Sequence, residues 1–381
     1  MSSLNVVDLS NNNFNGFVPQ CLSNLIKRDL SVLNLGNNHL SGELPDIFLN
    51  GSNLRSLNVG HNQLVGNLPR SLSACSSLDV LNIEHNSMND TFPFWLGSLP
   101  ELHVLVLRSN EFHGSLQYHH RLVASFFPQL RIIDISHNDF RGTLPSDFFM
   151  YWSAMHSEGD SSELEYIGDG LYYQDSIVLM NKGIELTYTR IFKLLTAIDL
   201  SGNMLHGNIP ESIGLVKALI VLNLSSNGFV GNMPSSLANL VQLESLDLSH
   251  NKLSGHIPPD LAQLTSLSTI RVSHNRLVGM IPQSTQFRTQ NASGFEDNAG
   301  LCGPPLLDQC RVGNDDTTLT QQEEEDDAKE EVFSWTAAAI GFAPGIVLGL
   351  SIGHLMLFYK PHWFFKVFHI NDRRRRMITP R

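Results

Sequence analysis

Apolar and polar residues alternate in short stretches that recur along this chain with a period of about 24 residues. In the unit at residues 243–258, Leu246, Asp247 and Leu248 alternate apolar, polar and apolar positions. This alternation predicts a short, half-buried strand whose leucines point inward and whose aspartate points outward. Because such a unit cannot bury its own apolar face, the repetition predicts a solenoid in which successive strands pair into a parallel sheet.

An asparagine follows every predicted strand and stands two residues before a leucine, phenylalanine or methionine. We expect each asparagine side chain to be buried at the turn, where it hydrogen-bonds backbone groups that have left the sheet. Gly255 permits a tight passage of the backbone, and Ile257 and Pro258 begin an extended return on the opposite side. The asparagines of this ladder are Asn12, Asn38, Asn62, Asn86, Asn110, Asn138, Asn203, Asn227, Asn251 and Asn275.

The repeated pattern, LxxLxLSxNxLxGxIP, resembles the plant extracellular type of leucine-rich repeat. Ten copies lie between about Leu4 and Pro282, six within residues 1–145 and four within residues 192–283. The resemblance implies an α/β leucine-rich repeat solenoid. In that fold a parallel β-sheet lines a concave face, and extended or 3-10 segments form the convex side.

The ladder is interrupted once, because the step from Asn138 to Asn203 is 65 residues. We place the end of the sixth repeat and an island insertion at residues 146–191. The island begins with an acidic segment, and its later part alternates apolar Ile184, Leu186 and Tyr188 with polar residues. A turn at residues 181–183 precedes this alternation, so the sequence predicts a β-hairpin.

A segment with two cysteines, Cys302 and Cys310, follows the last repeat. It resembles the C-terminal cysteine cap of the family, placed at residues 284–311, and the resemblance implies a disulfide. Cys21 and Cys75 stand at unmatched offsets two repeats apart, so we expect both to be buried thiols.

The C-terminal part of the chain has the charge pattern of a membrane anchor. An acidic juxtamembrane segment at residues 312–331 precedes residues 332–359, which contain no charged side chain and predict one transmembrane helix. The short basic tail at residues 360–381 is then cytoplasmic and the repeats are extracellular. Four glycines at intervals of four residues would line one face of that helix and let a partner kinase's helix approach: Gly341, Gly345, Gly349 and Gly353.

This order of segments resembles the plant leucine-rich-repeat receptor-like proteins, which lack a kinase. The resemblance implies a plasma-membrane receptor that recognises an extracellular peptide or protein ligand and signals through a partner receptor kinase, in defence or development. No kinase signature or phosphate loop occurs, so we expect no enzymatic activity, and we expect no cofactor and no nucleic-acid partner. Two alternatives are a repeat-built inhibitor of cell-wall hydrolases and a nonfunctional truncated paralogue, since Met1 enters mid-repeat without a secretory leader.

The resemblance also supplies candidate binding residues. Tyr173, eight residues, then Lys182 and Gly183 are similar to a Tyr-x8-Lys-Gly motif of islands in that family, which makes these three residues candidates for ligand binding. The alternative is that they only fold the hairpin. In the family the last four repeats contact a co-receptor kinase, and the candidate residues for that surface are Glu244, Asp247, His250, Arg271 and His274.

Two further patterns bear on the surface of the repeats. Glycosylation sequons occur at Asn50, Asn89, Asn223 and Asn291, and Asn223 should point outward because it lies between two leucines. Histidine precedes the ladder asparagine at His61, His85, His137, His250 and His274, and pairs 24 residues apart should stack. Such pairs suit a metal site or a pH sensor, or simply an exposed position that tolerates histidine. No carboxylate or cysteine completes a ligand set in the sequence, so we expect no metal site.

Overall fold

The structure is a computed structural model that describes residues 4–117, 126–157, 165–167, 173–306 and 310. The acidic juxtamembrane segment, the predicted membrane helix with Gly341, Gly345, Gly349 and Gly353, and the basic tail lie outside the described residues. Most of the acidic part of the island, at residues 158–164, lies outside them as well. Within the described ranges, no helix has the length and apolar character needed to span a bilayer.

One strand from each repeat joins a ten-stranded parallel sheet, in sequence order and without a break. We number the repeats 1 to 10 by these strands. The middle residue of each strand points into the core, whereas the first and third residues lie on the opposite surface, here called the concave surface. The strands are Val6–Asp8, Val32–Asn34, Ser56–Asn58, Val80–Asn82, Val104–Val106, Ile132–Asp134, Ala197–Asp199, Val221–Asn223, Ser245–Asp247 and Thr269–Arg271.

A second row of parallel strands follows the ladder asparagines, which the sequence pattern did not predict. It forms a four-stranded sheet (Asn15–Phe17, His39–Glu43, Gln63–Gly66, Ser87–Met88) and a seven-stranded sheet (His113–Gly114, Asp139–Thr143, Met204–Gly207, Gly228–Asn232, Lys252–Gly255, Arg276–Met280, Gly300–Cys302). Gly255 ends one of these strands with φ of +73°, and a Cβ there would lie 2.4 Å from Asn232 Oδ1. The tight passage expected at this glycine is therefore present.

Short helical turns complete the convex side, as the fold class implies. Proline precedes most of them in an extended conformation, since its fixed φ ends the strand before the chain turns. The 3-10 helices are Gln20–Leu22, Arg70–Ala74, Phe94–Ser98, Phe148–Tyr151, Ser153–Met155, Glu211–Leu215, Ser235–Asn239, Pro259–Gln263 and Ala292–Gly294, and the α-helices are Ser23–Ile26 and Thr285–Arg288.

The asparagine ladder has the bonding that the sequence predicted. Asn251 Nδ2 donates to the carbonyl oxygens of Leu224, Leu248 and Ser249 at 3.0 to 3.2 Å, and its Oδ1 accepts from Phe229 N at 3.0 Å. Each asparagine from Asn38 onward therefore ties the turn of its own repeat to the repeat before it, whereas the Asn12 side chain donates within the first repeat. The ladder also extends one step further than predicted, because Asn298 in the cap makes the equivalent bonds to Val272, Phe295 and Leu277.

The insertion leaves the stacking of repeats 6 and 7 intact. The strand Ala197–Asp199 pairs directly with Ile132–Asp134, and Asn203 Nδ2 donates to Ile135 O at 3.0 Å. The extra residues thus leave the solenoid and return to it without a gap in the sheet or in the ladder.

The predicted hairpin is present in the island. Strands Ile177–Asn181 and Ile184–Tyr188 pair antiparallel around a two-residue turn. Lys182 and Gly183 both have positive φ, +56° and +75°, which is the combination of a type I′ turn and matches the twist of hairpin strands.

The cysteines fall into the two kinds expected, with one exception. Cys302 and Cys310 form a disulfide with a Cα–Cα distance of 5.0 Å. Cys75 is a buried free thiol, but Cys21 is exposed, so the expectation for Cys21 was wrong. Cys21 lies in the 3-10 turn Gln20–Leu22 of the first repeat, which has no buried residue.

Candidate functional site

Part of the island runs across the concave surface, nearly from one end of the sheet to the other. We call residues 173–183 the crossing segment. At repeat 2, Asn34 Nδ2 donates to Tyr173 Oη at 2.9 Å, and at repeat 3, Ser56 Oγ donates to Asp175 Oδ1 at 2.5 Å. At repeat 9, the backbone N–H of Lys182 donates to Ser245 Oγ at 3.1 Å.

The spacing of the Tyr-x8-Lys-Gly pattern matches this span. Nine residues of extended chain cover roughly 30 Å, while the seven steps from repeat 2 to repeat 9 cover roughly 34 Å at about 4.8 Å a step. The two lengths agree within the reach of the side chains that make the contacts. The number of residues between Tyr173 and Lys182 therefore fits the number of repeats between their contacts.

The middle of the crossing segment packs on an apolar stretch of the concave surface. Ile177 and Leu179 are buried in a cluster that is separate from the main core. The partners from repeats 4 to 8 occupy strand positions that face away from the core: Val80, Val104, Val106, Ile132, Ala197 and Val221. Sequence reasoning missed this cover, although the unbroken apolar run at residues 104–107 is the pattern of a strand buried on both faces.

The hairpin turn brings the two sets of candidate residues together. Lys182 Nζ lies 3.0 Å from Glu244 Oε2, and a Cβ on Gly183 would lie 2.8 Å from Cζ of Arg271. Thus Lys182 and Gly183, named as ligand-binding candidates, contact Glu244 and Arg271, named for the co-receptor surface. Tyr173 lies far from them, at the other end of the sheet.

The remaining candidates of the co-receptor surface lie beside the turn. Asp247 accepts hydrogen bonds from Ser249 N and Oγ at 2.9 and 2.6 Å and lies 3.8 Å from Arg271. The rings of His250 and His274 stack with centroids 4.0 Å apart. The hairpin turn and repeats 9 and 10 therefore form one continuous surface.

A groove of ≈ 500 Å³ opens between repeats 1 to 4 and the start of the crossing segment. Its repeat wall is polar and rich in asparagine, and its other wall is the island. We call it the polar groove. Its lining residues are Asp8, Ser10, Asn11, Asn34, Gly36, Asn37, Asn58, Gly60, His61, Asn82 and Glu84 from the repeats, and Tyr173, Gln174, Ser176, Ile177 and Val178 from the island.

Charged groups surround the inner end of this groove. Arg108 Nη2 lies 3.0 Å from Glu84 Oε2, and Arg108 Nη1 lies 3.5 Å from Glu185 on the second hairpin strand. Burial alone would raise the pKa of Glu84, but the hydrogen bond with His61 and the Arg108 charge together lower it. Glu84 is therefore an ionised carboxylate at neutral pH, and Arg108 joins the repeats to the hairpin.

Two carboxyls are buried side by side beneath the island. Asp134 accepts from Ser136 N and Oγ, and Asp199 makes the same pair of bonds with Ser201. Burial raises the pKa of both groups above that of an ordinary aspartate, and for Asp134 the neighbouring Asp199 charge adds to this effect. The pair thus favours holding a proton when the island covers it.

The histidine pairs stack as the repeat spacing predicts. Rings of His61 and His85 have centroids 4.4 Å apart, like those of His250 and His274. These positions have φ between +50° and +57°, a left-handed conformation in which histidine, asparagine and aspartate are enriched. However, the expectation that no carboxylate completes a ligand set was wrong, because Glu84 Oε1 lies 3.5 Å from His61 Nε2 and beside His85. A carboxylate also lies at the second pair, since Asp297 Oδ2 is 2.9 Å from His274 Nε2.

Three of the four sequon asparagines are exposed: Asn50, Asn89 and Asn291. Asn223 is not, so the exposure that the sequence predicted for it was wrong. Its side chain does point to the concave surface, but it is 5% exposed, and Nδ2 donates to Asp199 Oδ2 at 2.9 Å while Oδ1 accepts from Ser225. An outward strand position is buried here because it packs against neighbouring repeats.

Comparison with known proteins agrees with the geometry. A leucine rich repeat family model matches residues 28–88 and 217–277, and a second model of the same description matches residues 3–25, 129–150 and 194–215. The solved plant peptide hormone receptor RGFR1, in complex with RGF2, is similar with a TM-score of 0.59 and 26% identity, over 77% of this chain and 40% of that chain. The ectodomain of the Arabidopsis thaliana receptor kinase GASSHO1/SCHENGEN3, in complex with CASPARIAN STRIP INTEGRITY FACTOR 2, is similar with a TM-score of 0.56 and 26% identity. That match covers 80% of this chain and 34% of the receptor chain. The fold is that of plant leucine-rich-repeat receptor ectodomains.

Proteins with similar sequences identify the family of this chain. Receptor-like protein 35 of Arabidopsis thaliana is 55% identical over 383 residues, which cover 100% of this chain and 40% of the relative. The chain belongs to the plant leucine-rich-repeat receptor-like proteins. It spans about two fifths of the length of the relatives it matches.

Proposed function

We propose that this protein is a cell-surface receptor that recognises an extracellular peptide and signals through a partner receptor kinase. The observation that carries the proposal is the polar groove, which has the repeats on one side and the island on the other. Plant receptors of the same fold are solved in complex with peptide hormones, which supports a peptide as the class of ligand.

The groove has the chemistry that an extended peptide needs. Asn34, Asn58 and Asn82 occupy the same strand position in three successive repeats, so their amides stand in a row about 4.8 Å apart. Asn58 Oδ1 accepts from Gly60 N, and within the described chain its Nδ2 has no protein hydrogen-bond partner. Such amides can bond the backbone of a peptide whatever its sequence.

The charge in the groove further restricts the class of peptide that it can bind. Asp8 and Glu84 are the ionisable groups that the repeats contribute besides His61. Glu84 is paired with Arg108, whereas Asp8 is exposed, so the Asp8 carboxylate favours a peptide that carries a lysine, an arginine or a free amino terminus.

Signalling is assigned to two other surfaces. The surface formed by the hairpin turn and repeats 9 and 10, with Glu244, Asp247, His250, Arg271 and His274, is proposed to bind a co-receptor kinase. The glycine series Gly341 to Gly353 is proposed to pack against the partner kinase's helix in a plasma membrane that the chain crosses once. The surface formed by the hairpin turn and repeats 9 and 10 is separate from the polar groove, so the ligand and the co-receptor kinase can bind together.

The experiment is a selection of displayed random peptides on the immobilised full chain, followed by calorimetric titration of the enriched peptides. Replacing Asn58 with Leu keeps the side-chain size but removes the amide, so peptides selected by the unchanged protein should bind at least tenfold more weakly. Asn24→Leu, an exposed change on the convex helix Ser23–Ile26, is the matched control and should leave affinity unchanged. Equal affinities for both variants would contradict a binding site in the groove.

A further inference from the structure

Glu84 occupies a repeat position at which most repeats have a small residue. The position two residues before each ladder asparagine is serine or glycine in eight of the ten repeats, and the exceptions are Glu84 and Arg108. In repeat 3 the position is Gly60, and a Cβ there would lie 3.1 Å from Glu84 Cγ. Gly60 therefore leaves the space through which the Glu84 side chain reaches towards His61.

Three potential metal ligands converge at this point. His61 and His85 occupy the same left-handed position in repeats 3 and 4, and their rings are nearly parallel, with an interplanar angle of 17°. One ligand atom from each of His61, Glu84 and His85 lies within 4.8 Å of the other two. Of these atoms, His61 Nε2 and Glu84 Oε1 are 3.5 Å apart.

This set has the composition of a known type of zinc site, two imidazoles and one carboxylate. Bond lengths of about 2.0 to 2.2 Å and a tetrahedral angle place ligand atoms about 3.4 Å apart. Glu84 and His61 already have that separation, and His61 is exposed, so rotation of its side chain can bring the ligand atoms together.

The nearby Arg108 holds one carboxylate oxygen of Glu84, and the other, Oε1, accepts a hydrogen bond from Asn82 Nδ2 at 3.1 Å and so keeps a lone pair for a metal. Arg108 Nη2 lies 3.0 Å from Oε2, whereas Oε1 faces His61. The positive charge of Arg108 is also shared with Glu185 at 3.5 Å and with Asp134 at 4.0 Å. A carboxylate held through one oxygen by an outer partner is the usual arrangement of a metal ligand.

We propose that His61, Glu84 and His85 bind a divalent transition-metal cation of the zinc class at the edge of the polar groove. His61 and Glu84 line that groove, so the fourth coordination position opens into it. Two imidazole ligands favour zinc over magnesium or calcium, which prefer a shell of oxygen ligands. Metal binding does not require the proposed peptide recognition, so either can fail without the other.

The test is calorimetric titration of the purified full chain, without a polyhistidine tag and after treatment with chelator, with zinc chloride. Cobalt(II) absorption in the visible region reports the ligand set. The variants are His61→Asn and His85→Asn, because asparagine is the native residue at this position in repeats 1 and 2, where φ is also +55°. We expect one zinc site in the unchanged protein and at least a tenfold loss of affinity in each variant.

The second stacked pair supplies the matched control. His250 and His274 have the same spacing and stacking, and Asp297 Oδ2 lies 2.9 Å from His274 Nε2. Among the described residues, however, only His61, Glu84 and His85 bring three ligand atoms within 4.8 Å of one another. His250→Asn and His274→Asn should leave zinc affinity and the cobalt spectrum unchanged. The proposal is overturned if the unchanged protein binds no zinc at millimolar concentration, or if the two pairs of variants lose affinity equally. Calcium that competes with zinc at equal concentration would also overturn the assigned class of metal.

Discussion

Repeats 5 to 8 and repeats 1 to 3 place equivalent strand positions on the concave surface. The crossing segment covers these positions in repeats 5 to 8, whereas in repeats 1 to 3 they line the polar groove. In repeats 5 to 8 the outward residues include Val104 and Ile132, and the crossing segment meets them with Ile177 and Leu179. In repeats 1 to 3 the repeats contribute Asp8, Asn34 and Asn58 to the groove, and the same segment contributes polar residues such as Tyr173.

The backbone does not make this difference, because the strands pair in the same register throughout. The polarity of the crossing segment changes along its length, and the polarity of the repeats beneath it changes with it. Water is expelled where both partners are apolar and remains where both are polar. One insertion thus fixes its own position by burial and leaves a binding groove at its polar end.

The largest effect is expected where the cover is apolar. Leu179→Ala removes a buried side chain from the apolar cluster, and large-to-small changes of this kind cost roughly 2 to 5 kcal/mol. Urea unfolding should show this loss, and hydrogen exchange should show faster opening of the hairpin.

Thr187→Ala is the matched control in the paired strand, where the side chain is exposed. Its effect should stay within about 0.5 kcal/mol. Equal losses for the two variants would mean that the apolar contact does not hold the island on the repeats.

A pH dependence is expected at the boundary between the two regions. Burial raises the pKa of Asp175 from 3.8 to about 6, although the hydrogen bond from Ser56 opposes the change. The folded protein then holds the Asp175 proton more tightly than the unfolded chain. Stability from this group therefore falls as pH rises from about 4 to about 6, by on the order of 3 kcal/mol.

Asp175→Asn keeps an oxygen that accepts from Ser56 and removes the ionisation. We expect this variant to lose that part of the pH dependence and to gain thermal stability at pH 7, measured by calorimetry at pH 4.5 and 7. Asp260→Asn, an exposed change on the convex side, should keep the dependence of the unchanged protein. An Asp175→Asn variant whose stability depends on pH as in the unchanged protein would contradict burial of this carboxyl between the island and the repeats.

The smallest effect is expected at the polar end of the crossing segment. Tyr173→Phe removes the hydroxyl that accepts from Asn34 Nδ2 and should cost about 1 kcal/mol. Burial raises the pKa of Tyr173, so the hydroxyl is neutral at the pH of the measurement. Tyr151→Phe loses a more exposed bond to Asp147, at 3.1 Å, and should cost less. A larger loss of stability for Tyr151→Phe than for Tyr173→Phe would show that the Tyr173 hydroxyl does not hold this end of the crossing segment on the repeats.

The periodic parts of the fold were predictable because the residue at each repeat position meets a local structural requirement. The ladder asparagine must satisfy a turn, and the alternation after Gly183 could only suit a hairpin, so both were correct. The cover of the concave surface was not predicted, because outward strand positions were assumed to meet water. The contact of Gly183 with Arg271 depends on the same long-range docking, and burial of Asn223 depends on its packing against the neighbouring repeat; no local pattern reports either.

The candidate site was predictable in part for a similar reason. Stacking of His61 on His85 follows from the repeat period alone, and the structure has it. The approach of Glu84 to His61 was missed, because it depends on a glycine in the preceding repeat rather than on residues next to the histidines. Comparing each column of the repeats for exceptions, such as Glu84 among serines and glycines, would have found it.

The direct stacking of repeats 6 and 7 has a consequence for how such receptors diversify. Since Asn203 bonds to Ile135 as if no residues intervened, the ladder and the sheet at this point do not depend on the inserted residues. Doubling such a loop costs only about 0.6 kcal/mol in closure entropy. A different island could therefore be inserted here without breaking the ladder, provided that it covers the outward apolar residues of repeats 4 to 8.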